Sequence, residues 1–426
     1  MKNHMLPLRF SLILVCAAAL FLGATATLQA QDSKVPGGSY VAPLASEVRN
    51  GKLVFEAEDG SFRWWFDARI QYDGAYFFEN KNELSSGTVL RRSTFAMKSV
   101  LYKDWQAEVD LDFGDGVLDM RDIWVRWDVP NTNFAIQAGN FKEPFGMERL
   151  NSSRLLTFLE RSAPTNAFAL GRRVGIAGRY YNKYGQVCIG AFGHETGTRI
   201  DKGQRDEAFS GNLRISAAPI NVHGKNLHVG LALSRKNPET LGDVAPDAVE
   251  VKARTENYVS DPKPLHTGAI TDVNYYDRIG GELMGIKGPF YFQSEVFSQV
   301  MKRWYGKSDV NLWGAYATFT WTPTGETRFY YVDEGEVGPV EKPKRSWGAI
   351  ELCARFSYTD LNDIDSGITG GESRQLMLGI NYYPNPAIKL QFNYSRVNLD
   401  QYATRNGNMF GNDDHSFIQG RIQASL

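Results

Sequence analysis

The sequence predicts an all-β fold, a transmembrane antiparallel β-barrel of about 16 strands that follows a cleaved N-terminal signal peptide. Three observations favour it: an export signal, polarity that alternates residue by residue, and aromatic residues clustered at the ends of apolar faces. The chain has 426 residues, of which 13% are aromatic and 41 are glycine, and this enrichment favours strands and tight turns. A formal net charge of -1 disfavours both a disordered chain and a nucleic-acid-binding protein.

Residues 1–30 are predicted to be the signal peptide. Lys2 and Arg9 precede an apolar run, and small residues follow as far as Ala30, an order typical of secretion rather than of a membrane span. Of the 3 cysteines, only Cys188 and Cys353 lie beyond this segment, so at most one disulfide could form. Residues 31–60 are interpreted as a periplasmic leader, and residues 61–426 as an outer-membrane β-barrel pore.

The main strand signal is a period of two in polarity. From Phe62 to Asp73, aromatic or apolar residues alternate with residues that are polar apart from Trp65. The same alternation recurs in residues 105–113, 123–129 and 388–395. A strand between lipid and a wet lumen requires this pattern. Counting such segments gives roughly sixteen strands, which is within the range of single-chain outer-membrane barrels.

A soluble β-sandwich is the alternative fold, because its strands also alternate. Aromatic pairs such as Tyr180-Tyr181 and Tyr330-Tyr331 favour the barrel, since girdles of this kind mark the membrane interfaces of barrels. Short turns also alternate with long polar stretches such as Ser234 to Thr267, as periplasmic turns alternate with extracellular loops.

No catalytic or metal-binding motif in the sequence is complete, so we predict neither an enzyme nor a cofactor. Gly306-Lys307-Ser308 resembles the end of a phosphate-binding loop, but Met301 stands where the first glycine is required. The 6 histidines show no metal-ligand spacing.

Arginines concentrate in or beside the candidate strands of the first half of the chain. On a lumen face an arginine meets water, whereas on the lipid face it costs about 2–4 kcal/mol, so we expect a lumen position. A row of guanidinium groups could favour anions, or it could be neutralised by acids such as Asp112 and Glu160 and only stiffen the wall. The residues are Arg91, Arg92, Arg149, Arg154, Arg161, Arg172, Arg173 and Arg214.

Several motifs, in order, resemble the phosphate-selective porin O and P family. The most specific block is Gly139-Asn140-Phe141-Lys142-Glu143-Pro144-Phe145-Gly146, and residues 150–153, 157–162, 347–352 and 379–384 are also similar. The resemblance runs from about Phe62 to Leu426. It implies a sixteen-stranded barrel in the outer membrane of a Gram-negative bacterium, usually a homotrimer, with a lumen loop that narrows the pore.

The resemblance also implies an anion-binding set in the lumen. Arginines would bind phosphate oxygens, serine hydroxyls would donate, and an acid would weaken binding enough for release. Arg149 stands where the phosphate-selective pattern has a lysine, so the charge is kept but the hydrogen-bonding geometry differs. The anion-binding or pore-lining positions implied here are Arg91, Arg92, Asp122, Arg149, Ser152, Ser153 and Arg161.

We therefore expect a passive outer-membrane porin for small anions, with phosphate or polyphosphate as candidates. Its expected partners are outer-membrane lipid and two further copies of the chain, without nucleic acid. The alternative function is an outer-membrane or periplasmic glycan-binding protein whose loops present tryptophan and tyrosine faces. A barrel enzyme would need a nucleophile and a base that the sequence does not reveal.

Overall fold

The computed structural model describes residues 47–49, 52–57, 59–169, 171–196, 208–238 and 247–425. The predicted signal peptide, residues 1–30, lies outside the described residues. In chain order the strands are β1 (Glu47–Arg49), β2 (Lys52–Glu56), β3 (Phe62–Phe78), β4 (Gly87–Leu101), β5 (Trp105–Asp112), β6 (Asp119–Asp128), β7 (Phe134–Lys142), β8 (Arg172–Asn182), β9 (Gly185–Phe192), β10 (Ser210–Val222), β11 (Lys225–Lys236), β12 (Lys252–Ala253), β13 (Leu265–His266), β14 (Val273–Lys287), β15 (Phe290–Arg303), β16 (Val310–Trp321), β17 (Arg328–Tyr331), β18 (Glu336–Val340), β19 (Ala349–Asp363), β20 (Ile368–Asn385), β21 (Ile388–Leu399) and β22 (His415–Ser425).

Helical structure in the described residues is short. Helices α1 (Met147–Leu150) and α2 (Ala163–Phe168) lie between β7 and β8, and single 3-10 turns cover Gly114–Gly116 and Ile364–Ser366. No helix in this part of the chain is long and apolar enough to cross a membrane.

Sixteen of the described strands form one closed antiparallel barrel, namely β3 to β11, β14 to β16 and β19 to β22. The barrel closes where β22 pairs with β3, from Ser416 opposite Phe78 to Ser425 opposite Arg69. Beyond that point β2 pairs with the same edge of β3, with Glu56 opposite Arg63. Closure pairs both edges of the sixteen-stranded sheet with each other, so neither edge is open to another chain. The predicted barrel and its strand count are confirmed.

The two faces of the wall carry opposite polarities, as the alternation predicted. On β3, Ile70 is 53% exposed while the neighbouring Arg69 and Gln71 are 5% and 0% exposed. On β22, Ile422 is 59% exposed and Arg421 is 2% exposed. An apolar outside and a polar inside are the reverse of a soluble protein's arrangement and match a wall between lipid and a wet lumen. The β-sandwich alternative is therefore wrong.

The two ends of the barrel have different connections. Turns at one end are short, as at Lys183-Tyr184, His223-Gly224 and Gly288-Pro289, whereas residues 143–171 and 237–272 connect strands at the other end. By the usual orientation of such barrels, short turns face the periplasm and long loops face outward. One connection departs from this rule: residues 322–348 lie at the short-turn end and contain the β17–β18 hairpin.

Three segments fold into the lumen: the inner loop (residues 143–171), the upper loop (residues 247–272) and the turn-side hairpin (residues 322–348). A buried apolar cluster packs the inner loop against the wall of β15 and β19 to β21, and it includes Phe158, Phe168 and Phe297. A Cβ added at Gly314 of β16 would lie 2.8 Å from the Pro164 Cβ atom, so a glycine permits this close approach. The inner loop therefore fills one side of the lumen and leaves space along β3 to β9.

Candidate functional site

A β-bulge turns two consecutive arginines of β4 toward the lumen. In the β3–β4 ladder Gln71 pairs with Arg92 and Tyr72 pairs with Leu90, so Arg91 is the extra residue. Successive residues of a regular strand face opposite sides, and the extra residue cancels one alternation. Arg91 and Arg92 consequently both reach groups inside the barrel.

Glu160 of the inner loop forms ion pairs with both of these arginines. The Arg91 Nε atom lies 2.8 Å from Glu160 Oε1, and the Arg92 Nη1 atom lies 3.7 Å from the same oxygen. Arg421 adds a third contact of 3.0 Å. Burial alone would raise the pKa of Glu160, but the three guanidinium groups hold it well below its ordinary value. The cluster therefore anchors the inner loop to the wall as a buried network of ion pairs.

The upper loop covers Arg91 from the other side. The ring of Tyr258 lies 3.5 Å from the Arg91 guanidinium carbon and 4.6 Å from that of Arg254. Such stacking of a cation on an aromatic face is favourable. Arg91 is thus enclosed between a carboxylate and a ring.

Asp122 lies at a second bulge, on β6. Val109 pairs with Ile123 and Leu111 pairs with Met120, so the two residues between, Arg121 and Asp122, are both opposite Asp110. Asp122 accepts a hydrogen bond from Arg172, and Arg121 pairs with Asp112 at 2.7 Å. The ion-pair partner of Asp122 is therefore Arg172 and not the Arg91–Arg92 pair.

The inner loop places two guanidinium groups among carbonyl oxygens. The Arg161 Nε atom donates to the Glu148 carbonyl and Nη2 to the Asn151 carbonyl, both at 2.8 Å. Arg149 donates to the Thr165 carbonyl at 3.3 Å. Among the described residues no carboxylate oxygen forms an ion pair with either group. Burial lowers the pKa of both arginines, and repulsion between them lowers that of Arg161 further. Their charges are costly as they stand, and an anion would stabilise them.

Arg149 and Arg161 line a chamber of about 940 Å³ that lies between the inner loop, the wall of β3 to β9 and the turn-side hairpin. Five of the seven positions implied by the resemblance lie along it: Asp122, Arg149, Ser152, Ser153 and Arg161. Arg91 and Arg92 do not line it and lie in the Glu160 cluster instead.

The chamber is also lined by cations that the family motifs did not identify. Arg69 of β3 is buried in the wall without a hydrogen-bonded or ion-paired partner among the described residues. Lys98 pairs with Glu108 at 3.1 Å, and Lys142 donates to the Leu150 carbonyl. The alternation of β3 already placed Arg69 on the polar face, so period two was the signal that could have identified it.

Three carboxylates offset part of this positive lining. One oxygen from each of Glu108, Asp110 and Asp122 lies within 4.8 Å of the others. Because Lys98 and Arg172 already pair with two of these acids, the trio serves as counter-charge within the wall. A lumen that carries both signs can attract an ion without retaining it.

A closed sixteen-stranded barrel with an apolar outer face, an inward-folded loop and a charged chamber is the architecture of an outer-membrane porin. The sequence matches the family model described as phosphate-selective porin O and P over residues 65–425. The chain belongs to this family, as the motifs predicted. Membership indicates a channel rather than an enzyme, and it places the protein in the outer membrane of a Gram-negative bacterium.

Known proteins agree with this assignment. Porin O of Pseudomonas aeruginosa is 24% identical over 455 residues, covering 96% of this chain and 97% of that protein. An uncharacterized protein of Caulobacter vibrioides is 24% identical over 396 residues, covering 90% of this chain and 78% of that protein.

Solved structures share the fold. OmpT of Vibrio cholerae, in its trimer form, has a TM-score of 0.54 at 8% identity, covering 86% of this chain and 100% of that one. An anion-selective porin from Comamonas acidovorans has a TM-score of 0.53 at 13% identity, covering 86% of this chain and 100% of that one. At these identities the likeness concerns the barrel itself.

Proposed function

We propose that the protein is a passive channel for small anions, with inorganic phosphate as the leading candidate solute. The observation that carries the proposal is the pair Arg149 and Arg161, whose guanidinium groups line the chamber and form no ion pair with a carboxylate of the described residues. Buried cations that line a narrow pore attract anions. A guanidinium group can also donate two parallel hydrogen bonds to a phosphate group.

The serines of the inner loop complete the proposed binding set. Ser152 and Ser153 line the same chamber as Arg149, which supports a role for their hydroxyls as donors to an anion held there. Asp122 binds Arg172 and moderates the local positive charge. In this arrangement Arg91 and Arg92 act indirectly, because they hold the inner loop in place through Glu160.

A homotrimer in contact with outer-membrane lipid is the proposed assembly. The exposed apolar side chains of the wall, such as Phe356 and Leu378, suit both lipid and subunit contacts. The trimer form of the structurally similar OmpT supports the oligomeric state. The glycan-binding alternative has no comparable support, since family membership indicates a channel.

Phosphate titration of chloride current in a planar bilayer tests the proposed solute. We expect phosphate to block the chloride current at concentrations well below that of the chloride, because both ions compete for the same guanidinium groups. Block that appears only when the two concentrations are comparable would contradict a phosphate site. A current that also lacks anion preference would contradict the anion channel itself.

A further inference from the structure

The chamber extends past its arginines toward the short-turn end, where its lining becomes aromatic. Trp124 of β6 is half-buried, and its ladder partner is the lumen-facing Glu108. On the opposite side, the turn-side hairpin contributes Phe329 and Tyr331 to the same chamber. A chamber of this kind has a cationic part and a flat apolar part.

The cationic and aromatic parts of the chamber lie at different heights along the strands of the wall. Trp124 lies three residues from Arg121 along β6, which corresponds to roughly 10 Å at the usual rise of a strand. Trp65 lies four residues from Arg69 along β3, roughly 13 Å. Inorganic phosphate carries no apolar surface that the aromatic part could contact, whereas an aryl phosphate carries one.

The volume of the chamber also suits a solute larger than inorganic phosphate. A chamber of about 940 Å³ lies near the top of the range, ~300–1,000 Å³, of sites that hold drug-sized molecules. Such sites combine apolar and aromatic walls with a few converging polar groups. This chamber has both aromatic walls and a few converging cationic groups.

The aromatic part is held in place by hydrogen bonds between the hairpin and the barrel. Arg214 donates to the Glu334 carbonyl at 2.9 Å and to the Gly335 carbonyl at 2.8 Å. The Val337 amide donates to Asn151 Oδ1 of the inner loop at 3.1 Å. A preformed wall avoids the ordering cost that a mobile one would incur on binding.

We infer that the chamber prefers organic anions that carry a flat apolar body, such as aryl phosphates, over inorganic phosphate. The anionic group would occupy the Arg149 and Arg161 part, and the ring would stack against Trp124 and the hairpin. This inference rests on the proposed anion channel and names the solute class that the same site favours.

The test compares block of the chloride current by phenyl phosphate and by inorganic phosphate. We expect the half-blocking concentration of phenyl phosphate to be about tenfold lower, because stacking on an aromatic side chain strengthens binding by about that factor. Trp124→Ala should remove this advantage and leave block by inorganic phosphate unchanged. Trp313→Ala, on the exposed face of β16, is the matched control and should change neither value.

The outcomes separate the two proposals. Equal block by both compounds, or an advantage that survives in folded Trp124→Ala, would overturn the organic-anion preference while leaving the anion channel in place. Absence of block together with absence of anion preference would overturn the anion channel. If Trp124→Ala fails to fold, Phe329→Ala on the exposed side of the hairpin provides the same test, with the same expected loss.

Discussion

Arginines in this lumen differ in whether an ion-paired carboxylate accompanies them. Arg214 is bidentate to Glu282, with the closer contact at 2.8 Å, and Arg328 pairs with Glu351. Within the part of the chain that the structure describes, Arg149 and Arg161 have only carbonyl and amide oxygens as hydrogen-bond acceptors. The first kind stabilises the loops and hairpin inside the barrel, and the second kind forms the proposed anion site.

Removing the two unpaired charges should weaken anion preference. For the double variant Arg149→Gln and Arg161→Gln, we expect the chloride-to-potassium permeability ratio to fall about 30-fold, since each of the two charges is worth about 1 kcal/mol at 4 Å in water. Reversal potentials in a salt gradient measure this ratio. The double variant Arg235→Gln and Arg374→Gln also removes two charges, from side chains that are 44% and 63% exposed outside the chamber, and an equal fall in that variant would contradict the assignment.

Glu336 should make anion preference depend on pH. Burial and the neighbouring Glu334 raise the pKa of Glu336 to about 7, against the opposing effect of Lys142. Its ionisation is thus disfavoured in the folded state, and the negative charge appears in the chamber as pH rises through 7. We expect anion preference to fall between pH 6 and pH 8 and Glu336→Gln to flatten that profile; an unchanged profile in the variant would exclude Glu336 as the cause.

At the scale of elements, the inner loop depends on close packing against β16. Gly314→Val would place a side chain against Pro164 and the Tyr358 carbonyl, which lies 2.9 Å from the added Cβ. Overpacking of this kind typically costs about 1–3 kcal/mol, so we expect a lower unfolding temperature and an altered single-channel conductance. Ala315→Val, on the opposite face of the same strand, is the control, and equal effects in both variants would argue against this packing.

Strands were predictable from the sequence where their period was unbroken, as in residues 62–73. The bulges at Arg91 and at Arg121-Asp122 were not, because a break in period two looks the same whether the strand bulges or ends. Tyr330 and Tyr331 were interpreted as part of a membrane girdle, but they lie in the turn-side hairpin, where Tyr330 contacts His228. The location of such residues depends on the residues they contact in the folded barrel, and the local sequence pattern does not determine it.

At the scale of the whole molecule, the outward apolar surface determines insertion and the lumen determines selectivity. Motif order located five of the chamber residues, and four of them, including Ser152 and Arg161, lie in the inner loop, which is a contiguous stretch of sequence. The pairing of Arg91 with Glu160 joins residues 69 positions apart. No local feature of the sequence shows whether Arg91 pairs with a carboxylate or remains free to bind an anion.

The lipid-facing assignment predicts a large cost for an outward charge. Leu378 of β20 is 49% exposed on the outer face, and Leu378→Arg should reduce the free energy of unfolding in lipid by about 2–4 kcal/mol if it lies near the midplane. Leu378→Ala is the control for lost side-chain volume. Denaturant unfolding in vesicles measures both, and equal stabilities of the two variants would contradict the orientation of the wall.

The central claim is that the lumen conducts anions in preference to cations. The reversal potential of the unmodified protein in a potassium chloride gradient across a planar bilayer tests it most directly. We predict that the reversal potential has the sign expected for a channel that conducts chloride better than potassium. Its magnitude should decrease at high salt, because screening increases. A potential of zero, or of the sign set by potassium, would contradict the account.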